Sequence, residues 1–170
     1  MKKIIFILFI VIGASTQVNA QDGEAVVHKH ALGARLTGGY YFSPEISYQM
    51  GLTNRNRLEF DAGGRFYVNY TRLLATIVFH WDFNIMSGWN WFIGPGVQLG
   101  TYIDHLNPSN NSFPIGVGGQ VGMEFDFNVF DVPLVAGVDT RPMFDVFGHP
   151  SGFGIYVPTA AVSARYTFKN

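Results

Sequence analysis

The sequence predicts an all-β fold, an eight-stranded antiparallel up-and-down transmembrane β-barrel, and three observations lead there. Apolar and polar residues alternate over successive segments, most clearly at Arg57–Val68, where Arg57, Glu59, Asp61, Gly63, Arg65 and Tyr67 interleave with Leu58, Phe60, Ala62, Gly64, Phe66 and Val68. Successive side chains of a strand point to opposite faces, so such a strand has one polar and one apolar face. Charged residues are only 14% of the chain and aromatic residues 16%, against about 25% charged in an average soluble domain, which leaves too little charge to cover a water-soluble surface. Finally, residues 21–170 contain no apolar run approaching the roughly 20 residues of a membrane-spanning helix, so the apolar surface belongs to strands.

The N-terminus carries Met1-Lys2-Lys3, the apolar run Ile4–Ile12, and Val18-Asn19-Ala20 ahead of Gln21. Charge, length and small-residue spacing are those of a secretory signal and predict cleavage after Ala20. The expected organisation is a signal peptide at 1–20, a polar leader at 21–29 and a single barrel domain at 30–170. Without cysteine there is no thiol for lipid attachment and no disulfide. After loss of Lys2 and Lys3, nine basic residues face twelve acidic ones, so no basic surface points to nucleic acid as a partner.

The first strand is expected at His30–Gly38, with Leu32, Ala34 and Leu36 opposite Gly33, Arg35 and Thr37. Gly39–Pro44 reverses the chain into Glu45–Leu52, where Ile46, Tyr48, Met50 and Leu52 oppose Glu45, Ser47, Gln49 and Gly51; the polar turn Thr53–Asn56 leads into Arg57–Val68. A fourth strand, Arg72–Ile85, sets Leu73, Ala75, Ile77, Phe79, Trp81, Phe83 and Ile85 against Arg72, Thr76, His80, Asp82 and Asn84. After Met86–Trp89, the fifth strand, Asn90–Ile103, has Trp91, Ile93, Pro95, Val97, Leu99 and Ile103 on its apolar face and Gly94, Gly96, Gln98 and Gly100 on the other. The longest connection, Asp104–Phe113, precedes a sixth strand at Pro114–Phe127, which again opposes apolar residues to glycines, Gln120, Glu124 and Asp126. A short turn at Asn128–Val132 leads to a seventh strand at Pro133–Val146. A loop at Phe147–Gly152 then leads to the eighth, Phe153–Phe168. Pro95, Pro142 and Pro158 fall inside these strands, where each removes a ladder donor, so bulges or strand ends are expected there.

Run up and down, the eight strands gather aromatic residues at both ends of the apolar band. Tyr41, Phe66, Tyr70 and Phe144 fall at the end with the longer loops, and Trp81, Phe83, Trp89, Trp91, Phe125, Phe127, Tyr166 and Phe168 at the end with short turns. Two such girdles suit two membrane–water interfaces. Short turns near 54, 87 and 130 alternate with longer loops near 41, 70, 108 and 149, as expected when the turns are periplasmic and the loops face outward.

The inward faces carry the charges: Arg35, Arg57, Arg65, Arg72, Arg141 and Arg165 with Glu45, Glu59, Asp61, Asp82, Glu124, Asp126, Asp139 and Asp145, joined by His80. Every base is arginine, which stays charged and pairs with carboxylates through two parallel hydrogen bonds. An eight-stranded barrel is only about wide enough to be filled by its side chains, so a salt-bridged plug is the expected arrangement. A narrow path opened by exchange of partners, with Glu59 or Glu124 between Arg57 and Arg165, is the alternative. His80 and Asp82 stand two apart on one face but lack an adjacent hydroxyl nucleophile, so they are read as part of the lumen network and no catalytic group is expected. His28 and His30 are too few and too exposed to make a metal site, and His105 and His149 belong to loops. The glycine-rich Gly116–Gly122 lies in a strand with no helix after it and is not a nucleotide loop.

Phe42-Ser43-Pro44-Glu45-Ile46-Ser47-Tyr48, Asp139-Thr140-Arg141-Pro142 and the terminal Ala164-Arg165-Tyr166-Thr167-Phe168 resemble the small outer-membrane barrels of the OmpA and OmpX kind, over essentially all of 21–170. That resemblance implies residence in a bacterial outer membrane, contact with its lipids, and delivery by the barrel-assembly machinery through the alternating aromatic end at Phe168; Lys169 and Asn170 follow that Phe, where the family usually stops. It implies no cofactor and leaves activity open, since the family includes structural anchors, adhesins, small pores and a few enzymes. Taken together, a monomeric structural or surface-interacting barrel is expected, with an unknown extracellular ligand at the loops as a further option. A narrow pore for ions or small solutes comes next. A lipid-modifying enzyme and a soluble barrel of lipocalin type, with apolar faces inward, are less favoured.

Overall fold

A computed structural model describes residues 27–38, 42–148, 154–156 and 160–168. The signal segment 1–20, most of the leader, Tyr41, His149, Phe153, Pro158, Lys169 and Asn170 lie outside the described residues.

Alternating patterns become strands β1 (His30–Thr37), β2 (Ser43–Gly51), β3 (Asn56–Phe66), β4 (Tyr70–Met86), β5 (Trp89–Asp104), β6 (Ile115–Asp126), β7 (Leu134–Thr140), β8 (Met143–Phe147), β9 (Gly154–Tyr156) and β10 (Ala160–Thr167). Each pairs antiparallel with its sequence neighbour from β1 to β6, β6 continues onto β7 and β8, and β10 joins β7 to β1. The ring is closed, which removes the unpaired edges an open sheet would present.

Two expected strands are each divided. Where one strand was predicted at Pro133–Val146, Arg141-Pro142 separates β7 from β8. The register is unchanged across the break, since Val121 faces Thr140 and Gly118 faces Met143. Pro142 has no N–H to give the ladder, so pairing lapses there and the strand continues beyond it, with Gly119 N–H donating to the Pro142 carbonyl at 3.2 Å. The predicted Phe153–Phe168 likewise becomes β9 and β10. Pro95 stays within β5: the β4–β5 pairing skips Phe79 and His80 opposite it and resumes in the same register at Trp81 and Ile93.

Strand faces sort by polarity in the sense opposite to a soluble protein. Ile46 is 67% exposed, Val97 50% and Val162 55%, whereas Arg35 and Arg165 are 1% exposed and Glu59 and His80 are sealed from solvent. Apolar side chains therefore cover the outside and charged ones fill the inside, which overturns the lipocalin arrangement. At one end the connections are tight. Gly88, with φ +77°, adopts the left-handed conformation needed in the two-residue turn before Trp89, and Asp126 caps the next turn by accepting from Asn128 N–H at 2.9 Å. At the other end, the connection after β5 is built from polar contacts: Asp104 accepts from Leu106 and Asn107 N–H at 2.9 and 3.0 Å, and Tyr102 and Ser112 exchange backbone bonds.

Candidate functional site

The interior is layered, and each layer joins an arginine to carboxylates from other strands. Period-two alternation aims these side chains inward, and their length lets them meet across the lumen. Nearest the loops, Arg72 of β4 donates to both oxygens of Asp145 of β8 at 3.0 and 2.9 Å. Below it, Arg35 of β1 forks onto Asp139 through Nε and Nη2, with the Nη2 bond at 2.5 Å, and gives Nη1 to Glu45 and Thr37, both at 2.9 Å. Glu45 also accepts from Arg141 at 2.5 Å, and the other Arg141 nitrogen donates to Asp61 on the opposite wall. A small recess opens beside this layer, lined by Arg35, Thr37, Glu45, Arg65, Gln98, Arg141 and Met143.

Deeper, Arg165 of β10 donates to Glu59 of β3, Ser47 and Ser163, each at 2.9 Å, and Glu59 also accepts from Gln49 at 2.7 Å and Gln120 at 3.1 Å. Next, Arg57 of β3 forks onto Glu124 of β6 at 2.5 and 2.9 Å, lies 3.2 Å from Asp82, and stacks 4.9 Å over the ring of Phe92. Glu59 and Glu124 are thus assigned to different arginines, Arg165 and Arg57. His80, beside Phe92, receives a long 3.4 Å contact from Arg57 Nε at its Nδ1. Among the described residues no three His, Asp or Glu are grouped to hold a metal ion. At the turn end, His28 pairs with Asp126 at 2.9 Å, drawing the end of the leader against the turn after β6, while His30 bonds the Tyr48 hydroxyl at 2.8 Å.

Sequence reasoning missed the apolar part of the filling. Leu74, Val78, Phe92, Val135 and Met143 are buried among the charged groups. Phe92 shares the parity of Gly94 and Gly96, so its orientation was readable, but only the structure shows why glycines surround it. A Cβ on Gly122 would lie 2.5 Å from the Phe92 ring, and one on Gly96 would lie 3.0 Å from Val78. These glycines leave room for large apolar neighbours.

Aromatic residues at the turn end lie on the outer face in contacting pairs: Phe83 with Trp91 at 4.5 Å between centroids, Trp89 with Phe125 at 5.1 Å, Phe125 with Phe127 at 4.9 Å, and Tyr166 with Phe168 at 5.4 Å. Trp81 packs on Phe79 at 5.0 Å. At the loop end, Phe66 and Phe144 face outward. Tyr70 differs from that expectation. It shares the face of Arg72, on the lumen side, and stacks between Tyr67 and Tyr102 at 4.4 and 5.0 Å.

A closed eight-stranded barrel with charges inside and apolar residues outside defines the structural class. The chain is similar to Neisserial surface protein A, with a TM-score of 0.61 at 16% identity over 82% of this chain and 94% of that one. It is also similar to the N-terminal β-barrel domain of Pseudomonas aeruginosa OprF, with a TM-score of 0.56 at 15% identity over 82% and 96%. At these identities the likeness is one of fold. No protein-family profile matches the chain, and no curated protein sequence matches it.

Proposed function

We propose that this chain is a monomeric integral barrel of a bacterial outer membrane, exported by a cleaved signal at 1–20, whose lumen is plugged by its own salt bridges and which serves as a structural or surface-interacting protein. The observation that carries this reading is the inversion of polarity: an apolar outer wall needs lipid against it, and a lumen filled by cross-wall Arg–carboxylate pairs leaves little room for solute. Its partners are then the lipids of that membrane and, during biogenesis, the assembly machinery that reads the strand ending at Phe168. Reconstitution into a planar lipid bilayer tests it, with insertion checked by heat-dependent gel mobility. The expected result is a folded barrel that gives no current steps; discrete, reproducible steps would contradict the plug.

A narrow pore is the second reading, favoured by one feature, the sharing of Glu45 between Arg35 and Arg141, which gives both arginines an alternative partner nearby. A pore built on that exchange changes its conductance when Arg141 is neutralised.

A further inference from the structure

Two connections at the turn end of the barrel differ in where their polarity goes. Between β2 and β3 the chain reads Thr53-Asn54-Arg55-Asn56, and Thr53, Asn54 and Arg55 are exposed, as befits a turn standing in water. After β6 it reads Phe127-Asn128-Val129-Phe130-Asp131-Val132, a short 3-10 helix at Phe127–Phe130 followed by Asp131 in the left-handed conformation, with φ 61°. Apart from Asp131, the side chains this second turn exposes are apolar: Val129 is 43% exposed, Phe130 68% and Val132 46%. Its amide side chain points the other way. Asn128 Nδ2 donates to the Asp126 carboxylate at 2.6 Å and to the Thr167 hydroxyl at 3.1 Å, beside His28. An exposed apolar cluster of this kind calls for an occupant.

Two observations say what covers it. The cluster is continuous with the outer wall: Phe130 lies against Phe125, 6.0 Å between ring centroids, and Phe125 also contacts Phe127 and Trp89. In the membrane-barrel reading that wall faces lipid, so the turn folds back into the same medium. The turn's backbone is also bonded within itself. Asn128 N–H donates to Asp126 Oδ1 at 2.9 Å, Asp131 N–H to the Asn128 carbonyl at 3.0 Å and Val132 N–H to the Phe127 carbonyl at 3.2 Å, and Pro133 has no N–H to leave unpaired. Irregular backbone is costly in lipid because its polar groups lose water, and these bonds reduce that cost. Asp131 sets the depth: a carboxylate is expensive in hydrocarbon, so the turn stops at headgroup level. We propose that the turn after β6 is an interfacial foot, with Val129, Phe130 and Val132 resting among the headgroups and upper acyl chains at the turn end, while the turn after β2 stays in water. This rests on the membrane-barrel reading and extends its lipid contact from the wall to one connection.

The chain has no cysteine, so a single introduced one can carry the fluorophore NBD at a chosen place. Val129→Cys on the foot, Asn54→Cys on the polar turn and Val97→Cys on the middle of the wall are each labelled. They are folded into phosphatidylcholine vesicles bearing a nitroxide near the top or near the end of the acyl chain, with folding checked by gel mobility. The foot probe is expected to emit at shorter wavelength than the polar-turn probe and to be quenched best by the shallow nitroxide. The mid-wall probe should be quenched best by the deep one, and the polar-turn probe only by iodide in the water. Adding Phe130→Ser and Val132→Ser to the labelled Val129→Cys chain should return its probe to water. Emission from the foot like that from the polar turn overturns the proposal. A blue-shifted foot probe that neither nitroxide quenches also overturns it, because protein, such as a second copy of the chain, would then cover the patch. Lipid quenching that survives both serine changes does the same, since the fluorophore alone would then have driven insertion. A mid-wall probe that no nitroxide quenches would show that the membrane-barrel reading had failed, and the foot with it.

Discussion

At the scale of single residues, the tightest constraint falls on charges that cannot reach water. Arg165 and Glu59 are each buried and face one another at 2.9 Å. Removing one partner of a buried pair leaves the other uncompensated, a loss of about 3–5 kcal/mol, while replacing both by apolar groups of similar size costs far less. Arg165→Ala is therefore expected to lower the urea midpoint of the lipid-folded barrel strongly, and Arg165→Met with Glu59→Met to recover most of the loss. Equal midpoints for the single and double variants would show that the pair is not the source. Gly122 shows the complementary constraint, close packing. Gly122→Val drives a side chain into Phe92 and Asp139 and should cost about 1–3 kcal/mol by overpacking. Phe92→Ala in the same chain should restore part of it, measured by the same unfolding curves. The face each residue occupies was legible from parity, which placed Arg35, Arg57, Glu59, His80, Glu124 and Arg165 inside. Which arginine meets which carboxylate was not, because strand order around a closed ring and the stagger between strands are not written in any one strand.

Elements show how far pattern reading reaches. Strand existence was legible wherever alternation was clean, as in β3 and β4, because the period of two is imposed by the pleat itself. Alternation alone did not show the division at Arg141-Pro142, since the residues on both sides keep the same alternation and register; the proline did, because its missing N–H breaks the ladder where a bulge or strand end was expected. Tyr70 was misplaced: it lies at the start of β4, and assigning it to the outer girdle ignored its even spacing from Arg72. The outer face of β5 gives the prediction proper to this scale. Val97 is half exposed near the middle of the strand, flanked by Ile77 on β4 and Val117 on β6. Val97→Arg should destabilise the lipid-folded barrel by roughly 2–4 kcal/mol, the penalty for arginine on the lipid face at the bilayer midplane. The same substitution at Met86, by the turn, should cost little. Matching urea midpoints for the two variants would contradict a lipid-facing wall graded by depth.

For the whole molecule, the central claim is that the apolar outer wall sits in a bilayer with the aromatic turn end at one interface. The chain has three tryptophans, Trp81, Trp89 and Trp91, and all three lie on the outer face at that end, Trp81 45% and Trp89 41% exposed. No second population of tryptophan confuses the signal. The most direct measurement is tryptophan fluorescence of the folded chain in bilayers whose acyl chains carry bromine at a series of depths. The account predicts strong quenching that is greatest for bromine near the headgroups and declines toward the bilayer centre. Emission that no brominated lipid quenches, or quenching deepest at the centre, would contradict it.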